Sequence, residues 1–259
     1  MSRIAPLVSN AAQAGATIMT GLLLLAGVTS AASAQTPAAT APKAVLELFT
    51  SQGCNSCPPA DALLKSYIAR PDIIALSLPV DYWDYLGWKD TFAKAKFTER
   101  QRAYGRQRGD GKIYTPQIVV DGLAHAVGNS ASDIDQAIAA NSAKFARSRV
   151  PVAMRLDNGQ LIIDAGNAPD GSSLNEANIW LAMVQPEGVI PVRSGENHGK
   201  TLKYYNIVRE LTPIGMWSGK AMTVRLDRDS IAQPGAESCA VLLQSKSGQI
   251  VGAAMMKKL

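Results

Sequence analysis

Two cysteines, Cys54 and Cys57, stand two residues apart in the run Val-Leu-Glu-Leu-Phe-Thr-Ser-Gln-Gly-Cys-Asn-Ser-Cys-Pro-Pro-Ala-Asp, positions 45–61. Thiols at this spacing close a small disulfide and open it again. The first, exposed on a turn, attacks a partner disulfide as the thiolate, and the second resolves the mixed disulfide that results. Three other uses stay open. Zinc normally takes four ligands, and His125, His198 and Cys239 lie at no ligand spacing from the pair or from each other. Both thiolates together could hold Cu(I), which soft sulfur selects. The pair could also be an inert staple.

Two carboxylates near the pair could move its protons. Asp61 follows Cys57 by four residues, which on a helix is the same face one turn on, so it is placed to act as a base. Glu47 is an anomaly. It shares a face with Val45 and Phe49 in a strand that is apolar on both sides, where a central strand expects Val or Ile. A carboxyl group there needs a partner or keeps its proton near neutral pH.

The elements that position these groups follow from hydrophobic periodicity. A strand at 44–50 runs into a Ser-Gln-Gly turn and then a helix reaching about Arg70, with Ala62, Leu63, Tyr67 and Ile68 at helical spacing. Pro58 and Pro59 fit only a first helical turn, so the helix is expected to start near Ser56 with Ser56 as its N-cap. A short strand at 73–78 follows. A polar helix at about 89–108 then carries Lys94, Lys96, Arg100, Arg102, Arg106 and Arg108, which read as a solvated face. Ile118-Val119-Val120, an Asp121-Gly122 turn, 123–127 and a helix at about 130–145 complete this part. The order β-α-β-α-β-β-α is that of a thioredoxin domain, and a C-x-x-C at the first strand-to-helix junction is its redox motif. Between 80 and 90 the aromatic residues Tyr82, Trp83, Tyr85 and Trp88 alternate with Asp81, Asp84 and Asp90. This loop leaves its strand at the edge that carries the cysteines, so it forms either a substrate-facing wall or a seal against the second domain.

Val150-Pro151 opens a different regime. Short alternating runs at 152–157, 160–165, 178–185, 203–211, 221–226, 238–245 and 249–254 are punctuated by Asn158-Gly159, Pro169-Asp170-Gly171, Pro186-Glu187-Gly188 and Ser247-Gly248. Seven such strands suggest a β-sandwich with a binding or positioning role. Cys239 alternates with Val241 and Leu243 and reads as a buried small hydrophobe.

At the N-terminus, Arg3, the apolar run 18–28 and Ala32-Ser33-Ala34 make a signal peptide cleaved after Ala34. The apolar run is too short and too rich in Gly and Thr for a stable span, so no membrane insertion is expected after cleavage. Export to the periplasm or beyond places the cysteines where disulfides persist. The segment 35–42, rich in Ala, Pro and Thr, reads as a disordered leader. A formal charge of +5 is too weak a bias to imply nucleic acid as a partner.

Four stretches together, Leu-Phe-Thr-Ser-Gln-Gly-Cys-x-Ser-Cys-Pro-Pro-Ala-Asp (48–61), Val-Asp-Tyr-Trp-Asp-Tyr-Leu-Gly-Trp-Lys-Asp (80–90), Tyr-Thr-Pro-Gln (114–117) and Gly-Glu-Asn-His-Gly (195–199), resemble a bacterial family of secreted thioredoxin-like proteins of unknown function. The resemblance spans nearly the whole mature chain. It implies an α/β fold, a thioredoxin-like domain at 43–149 followed by a mainly antiparallel β-sandwich-like domain at 150–259, and no particular substrate. Such proteins often carry His where this chain has Pro79, so a role for that imidazole is absent here. Likeness to thioredoxin further implies that Thr115-Pro116 is a cis bond shaping the substrate groove beside the disulfide; Thr115 and, from the 80–90 loop at that edge, Tyr82, Trp83 and Trp88 are the residues expected to face substrate. It also implies that Glu47, near the position of a buried acid in thioredoxin, takes the proton from Cys57, with Asp61 as the alternative base. The resulting expectation is an exported thiol-disulfide oxidoreductase acting on protein or small thiols and disulfides. Its redox group is the Cys54-Cys57 disulfide, with no organic cofactor and no metal. A non-catalytic binding protein on the same scaffold is the rival.

Overall fold

The computed structural model describes residues 41–145 and 147–259. The expected signal segment 1–34 and all of the leader except its last two residues lie outside them. Three helices, α1 (Pro58–Ile68), α2 (Ala95–Arg108) and α3 (Ala131–Phe145), alternate with the strands β1 (Ala44–Thr50), β2 (Ile73–Pro79), β3 (Gln117–Val120) and β4 (Ala124–Val127). The rest of the chain is almost wholly strand: β5 (Val152–Asp157), β6 (Gln160–Ala165), β7 (Ala177–Pro191), β8 (Thr201–Trp217), β9 (Met222–Asp227), β10 (Ser238–Gln244) and β11 (Ile250–Met256). The fold is mixed α/β, dominated by one large, mainly antiparallel sheet.

That sheet has the order β11-β10-β7-β8-β2-β1-β3-β4, so strands from both parts of the chain are hydrogen-bonded into one surface. The parallel pairs are β1 with β2 and β2 with β8. The second of these, where the two parts meet, is a single bridge between Ser77 and Ile207. Asn206 beside it takes a left-handed backbone, φ 46°, which Asn tolerates better than most side chains. Its amide donates to the Ala75 carbonyl at 3.0 Å, so a side chain continues the ladder across the junction.

Helices α1 and α3 cover one face of β1 and β3, through Leu46, Leu48, Leu64, Tyr67, Ile118, Ile134 and Ile138. Helix α2 lies against Val45 and Phe49, which point to the other face, and inserts Phe97 and Tyr104 there. A second, three-stranded sheet, β5-β6-β9, packs on β7, β10 and β11 through Leu161, Ile163, Ile179, Leu181, Val241 and Leu243. Cys239 is fully buried in that layer, and burial pushes its thiol up to about 12.

Three details differ from the sequence expectation. Helix α1 begins at Pro58 with Cys57 as its N-cap, so Pro58 and Pro59 occupy the first and second helical positions rather than the second and third. On α2, Arg100 does not belong to the solvated face: it is 8 % exposed and points into the core. Pro186-Glu187-Gly188 is not a turn but lies inside β7. Strand β10 pairs with β7 only as far as Val184, so beyond that point one edge of β7 has no neighbour among the described residues. There the missing N–H of Pro186 costs no ladder bond. The β7–β8 hairpin therefore runs on as a ribbon, and its connecting loop, 192–200, reaches the cysteines.

Candidate functional site

Cys54 and Cys57 form a disulfide at the N-terminus of α1. Strand β1 ends at Thr50, and a tight turn follows in which Ser51 accepts from the Gly53 amide through its hydroxyl and from the Cys54 amide through its carbonyl. Gly53 is where Trp83 approaches: a Cβ at this position would meet the Trp83 Cβ at 3.0 Å. The indole of Trp83 donates to the Thr115 hydroxyl at 2.7 Å, and the Thr115-Pro116 bond is cis. Trp83 thus ties the turn that carries Cys54 to Thr115 and the cis bond. Gly128 closes the layer behind them, donating to the Pro116 carbonyl at 2.9 Å. Tyr82 packs beside Trp83 against the sheet core.

Trp88 has the other role considered for this loop. It packs with Phe92, Val192, Leu202, Tyr204 and Ile207 at the seam between the loop and the β7–β8 ribbon, and its indole donates to the Gln52 side chain at 2.8 Å. Gly188 admits Phe92 to that seam, since a Cβ there would meet the ring at 2.7 Å. Trp88 is a seal and Trp83 a neighbour of the disulfide.

Glu47 does not sit with the cysteines. Its carboxylate points to the α2 face, whereas α1, which continues from Cys57, lies on the opposite face of β1. Arg100 grips it twice, Nε to Oε1 at 2.6 Å and Nη2 to Oε2 at 3.3 Å, and the Tyr104 hydroxyl donates to it as well. Arg100 also donates to Tyr104 at 2.7 Å and to Gln244 of β10 at 3.1 Å. Burial opposes the Arg100 charge, but Glu47 and Tyr104 together outweigh it and raise the guanidinium pKa. The compensation that the lone carboxyl in β1 requires is therefore an ion pair, and the expected proton transfer from Cys57 to Glu47 has no geometric support.

Asp61 is the acid on the correct face. It is 3 % exposed, one turn beyond Cys57 on α1, and neither carboxyl oxygen has a hydrogen-bond partner among the described residues. The hydroxyls of Thr50, Ser77 and Tyr204 are also buried and unpartnered. Burial pushes the Asp61 carboxyl well above the usual carboxylate range, the Thr50 hydroxyl works against that shift, and Asp90 adds to it. Tyr204 is likewise raised by burial, with Asp61 and Asp90 contributing, so these groups share one polar interior. An acid of this kind keeps its proton to higher pH than an exposed carboxyl does.

Three residues that carry the site had no local signal. Gln52 is fully buried; its amide donates to Asp90 at 2.7 Å, its side chain joins Trp88 and Thr91, and its carbonyl accepts from Asn197. Asp90 also accepts from the amides of Phe92 and Ala93. Burial lifts it to about 6 despite those three donors. Asn197, fully buried in the 192–200 loop, donates to the carbonyls of both Gln52 and Cys54 at 2.9 Å. The run Gly-Glu-Asn-His-Gly was visible in the sequence, but only the hairpin's reach shows what it touches. His198, in that run, is exposed.

Cys54, expected to be exposed, is 1 % exposed, and Cys57 is fully buried. The loops from 80–90 and 192–200 close over the turn. Among the described residues no group of three or more His, Cys, Asp or Glu side chains could hold a metal ion, and no helix is long and apolar enough to cross a membrane.

Solved structures resemble this chain over most of its length. A structural-genomics protein from Agrobacterium tumefaciens is 37% identical, with a TM-score of 0.74, covering 85% of this chain and 96% of that one. HBP35 of Porphyromonas gingivalis gives a TM-score of 0.58 at 12% identity, covering 85% of this chain and 76% of that one, a likeness of fold alone. No curated protein matches the chain. Residues 45–244 match the family described as protein of unknown function, DUF1223, and the chain belongs to that family.

Proposed function

We propose that the protein is an exported thiol-disulfide oxidoreductase with a thioredoxin-like first part, acting on protein or small-molecule thiols and disulfides. The observation that carries this reading is the buried, unpartnered carboxyl of Asp61 one turn behind Cys57. An isolated acid in such a place costs several kcal/mol, and a disulfide that only staples the fold gains nothing from it. In the reducing direction the Cys54 thiolate attacks a substrate disulfide, forms a mixed disulfide and releases one substrate thiolate. Cys57 then loses its proton to the Asp61 carboxylate and attacks the Cys54 sulfur. The second substrate thiolate leaves, Cys54-Cys57 closes, and two electrons have passed to the substrate. The same steps reversed oxidise a substrate dithiol. Trp83, Thr115 and Pro116 form the wall against which the substrate chain lies.

The 1 % exposure of Cys54 favours a second reading, in which the pair is a structural staple on a non-catalytic binding protein. Trapping separates the two. A Cys57→Ser variant of an oxidoreductase accumulates covalent partners that reductant dissolves, and Cys54→Ser does not. Equal trapping by both variants or by neither, together with a potential below about −300 mV, assigns the disulfide to the fold.

A further inference from the structure

The tip of the β7–β8 hairpin is built as a clasp on the reactive turn. Gly195 and Gly199, with φ of 77° and 80°, bend it, and the Gly199 amide closes it on the Val192 carbonyl at 2.9 Å. The Ser194 hydroxyl fastens it to the Gly87 carbonyl at 2.6 Å. Asn197 holds the carbonyls on either side of Gly53, and its own oxygen accepts from Lys200 at 2.9 Å. Beside Asn197, the exposed side chain of Glu196 reaches the amide of Asn55 at 3.4 Å, the residue directly after Cys54.

This last contact bears on the sulfur. When the disulfide opens, the Cys54 thiolate lies just ahead of α1, where the positive end of the helix dipole favours it although Pro58 and Pro59 offer no N–H there. The Glu196 carboxylate sits on the amide of the next residue, Asn55. Glu196 therefore acts against the thiolate by placing a negative charge near it. We infer that Glu196 is a positioning residue of the redox site that holds Cys54 as the thiol and so biases the pair toward donating electrons. A less stable thiolate means a less stable dithiol, which makes the disulfide the preferred form and the reduced protein the better reductant. The inference rests on the redox reading proposed above and names its direction.

Other charged groups around the turn are accounted for. Asp61 lies behind Cys57 on α1, Asp90 sits beneath the Gln52 amide, Lys200 is spent on Asn197, and His198 follows on the same loop. Among the described residues, Glu196 is the one charged side chain hydrogen-bonded to the backbone of a residue adjacent to Cys54.

The test uses the full-length protein and Glu196→Gln, which keeps size and hydrogen bonding and removes the charge. Two readings are taken: the pH midpoint of Cys54 alkylation by iodoacetamide in the reduced protein, and the equilibrium with glutathione at pH 9. The expected result is a midpoint lowered by on the order of half a pH unit, the effect of a nearby carboxylate acting through a largely aqueous rim. The equilibrium moves about threefold toward the dithiol in parallel. An unchanged or raised midpoint in Glu196→Gln overturns the inference. A parent protein that never equilibrates with glutathione overturns the redox reading instead, and the alkylation midpoints still report on Glu196.

Discussion

Replacing Asp61 with asparagine tests the polar interior behind the disulfide through stability as well as activity. The carboxyl is 3 % exposed, and burial raises its pKa in the folded protein well above that of the unfolded chain. The native state therefore holds a proton that the unfolded state releases above about pH 4. Stability from this group is complete below the unfolded pKa and is lost as pH rises toward the folded one, at up to about 1.4 kcal/mol per pH unit. The side-chain amide of the Asp61→Asn variant carries no such proton. Urea unfolding of the oxidised parent and of Asp61→Asn at a series of pH values from about 4.5 to 8 should show the variant gaining on the parent as pH rises. The gap stops widening where the native carboxyl ionises. Asp90, raised to about 6, contributes its own slope between about pH 4 and 6, but it is present in both proteins and cancels in the difference. Any fixed cost of placing an amide beside Thr50 and Tyr204 shifts the two curves without changing their separation with pH. A stability difference that stays constant across the series would refute the raised carboxyl. In the same variant, loss of the base slows release of a mixed disulfide by about a hundredfold, while attack by Cys54 keeps its rate.

Arg100→Met strands Glu47 in the core with only Tyr104 as a donor, and urea unfolding should record a loss of about 3 to 5 kcal/mol, while Glu47→Gln with Arg100→Met together recovers much of it. Asn197→Ala removes two hydrogen bonds to the Gln52 and Cys54 carbonyls. At about 1 kcal/mol each they hold the clasp down, so the disulfide of the variant should be reduced by dithiothreitol at least about tenfold faster, with little change in far-UV circular dichroism. Gly128→Ala drives a methyl group to within 2.9 Å of both Leu48 and Pro116, between rigid strands and α1, and should lower stability by about 1 to 3 kcal/mol, measured by thermal melting.

What the sequence by itself determined is local. Apolar runs bounded by turn residues placed β1, β2, β5, β6 and β10 within a residue of their observed ends, and β1, β2 and β10 are buried at every position because both of their faces are covered. The C-x-x-C spacing, Thr-Pro ahead of β3 and the apolar neighbours of Cys239 were legible for the same reason: each is a relation between residues a few positions apart. The partners of the anomalous groups were not. Glu47 advertised a missing partner, but nothing in the charge pattern of α2 singled out Arg100, 53 residues away, from the cations on its exposed face. The turn chemistry of Pro186-Glu187-Gly188 was overridden because a strand with an empty edge tolerates proline, and whether an edge is empty depends on where β10 stops. Burial of Cys54, its contact with Asn197 and the contact of Asn55 with Glu196 come from a hairpin loop more than 140 residues later in the chain. Such contacts form only when the sheet brings β8 beside β2, which is why tertiary structure alone decided which carboxylate stands behind the disulfide and which stands in front of it.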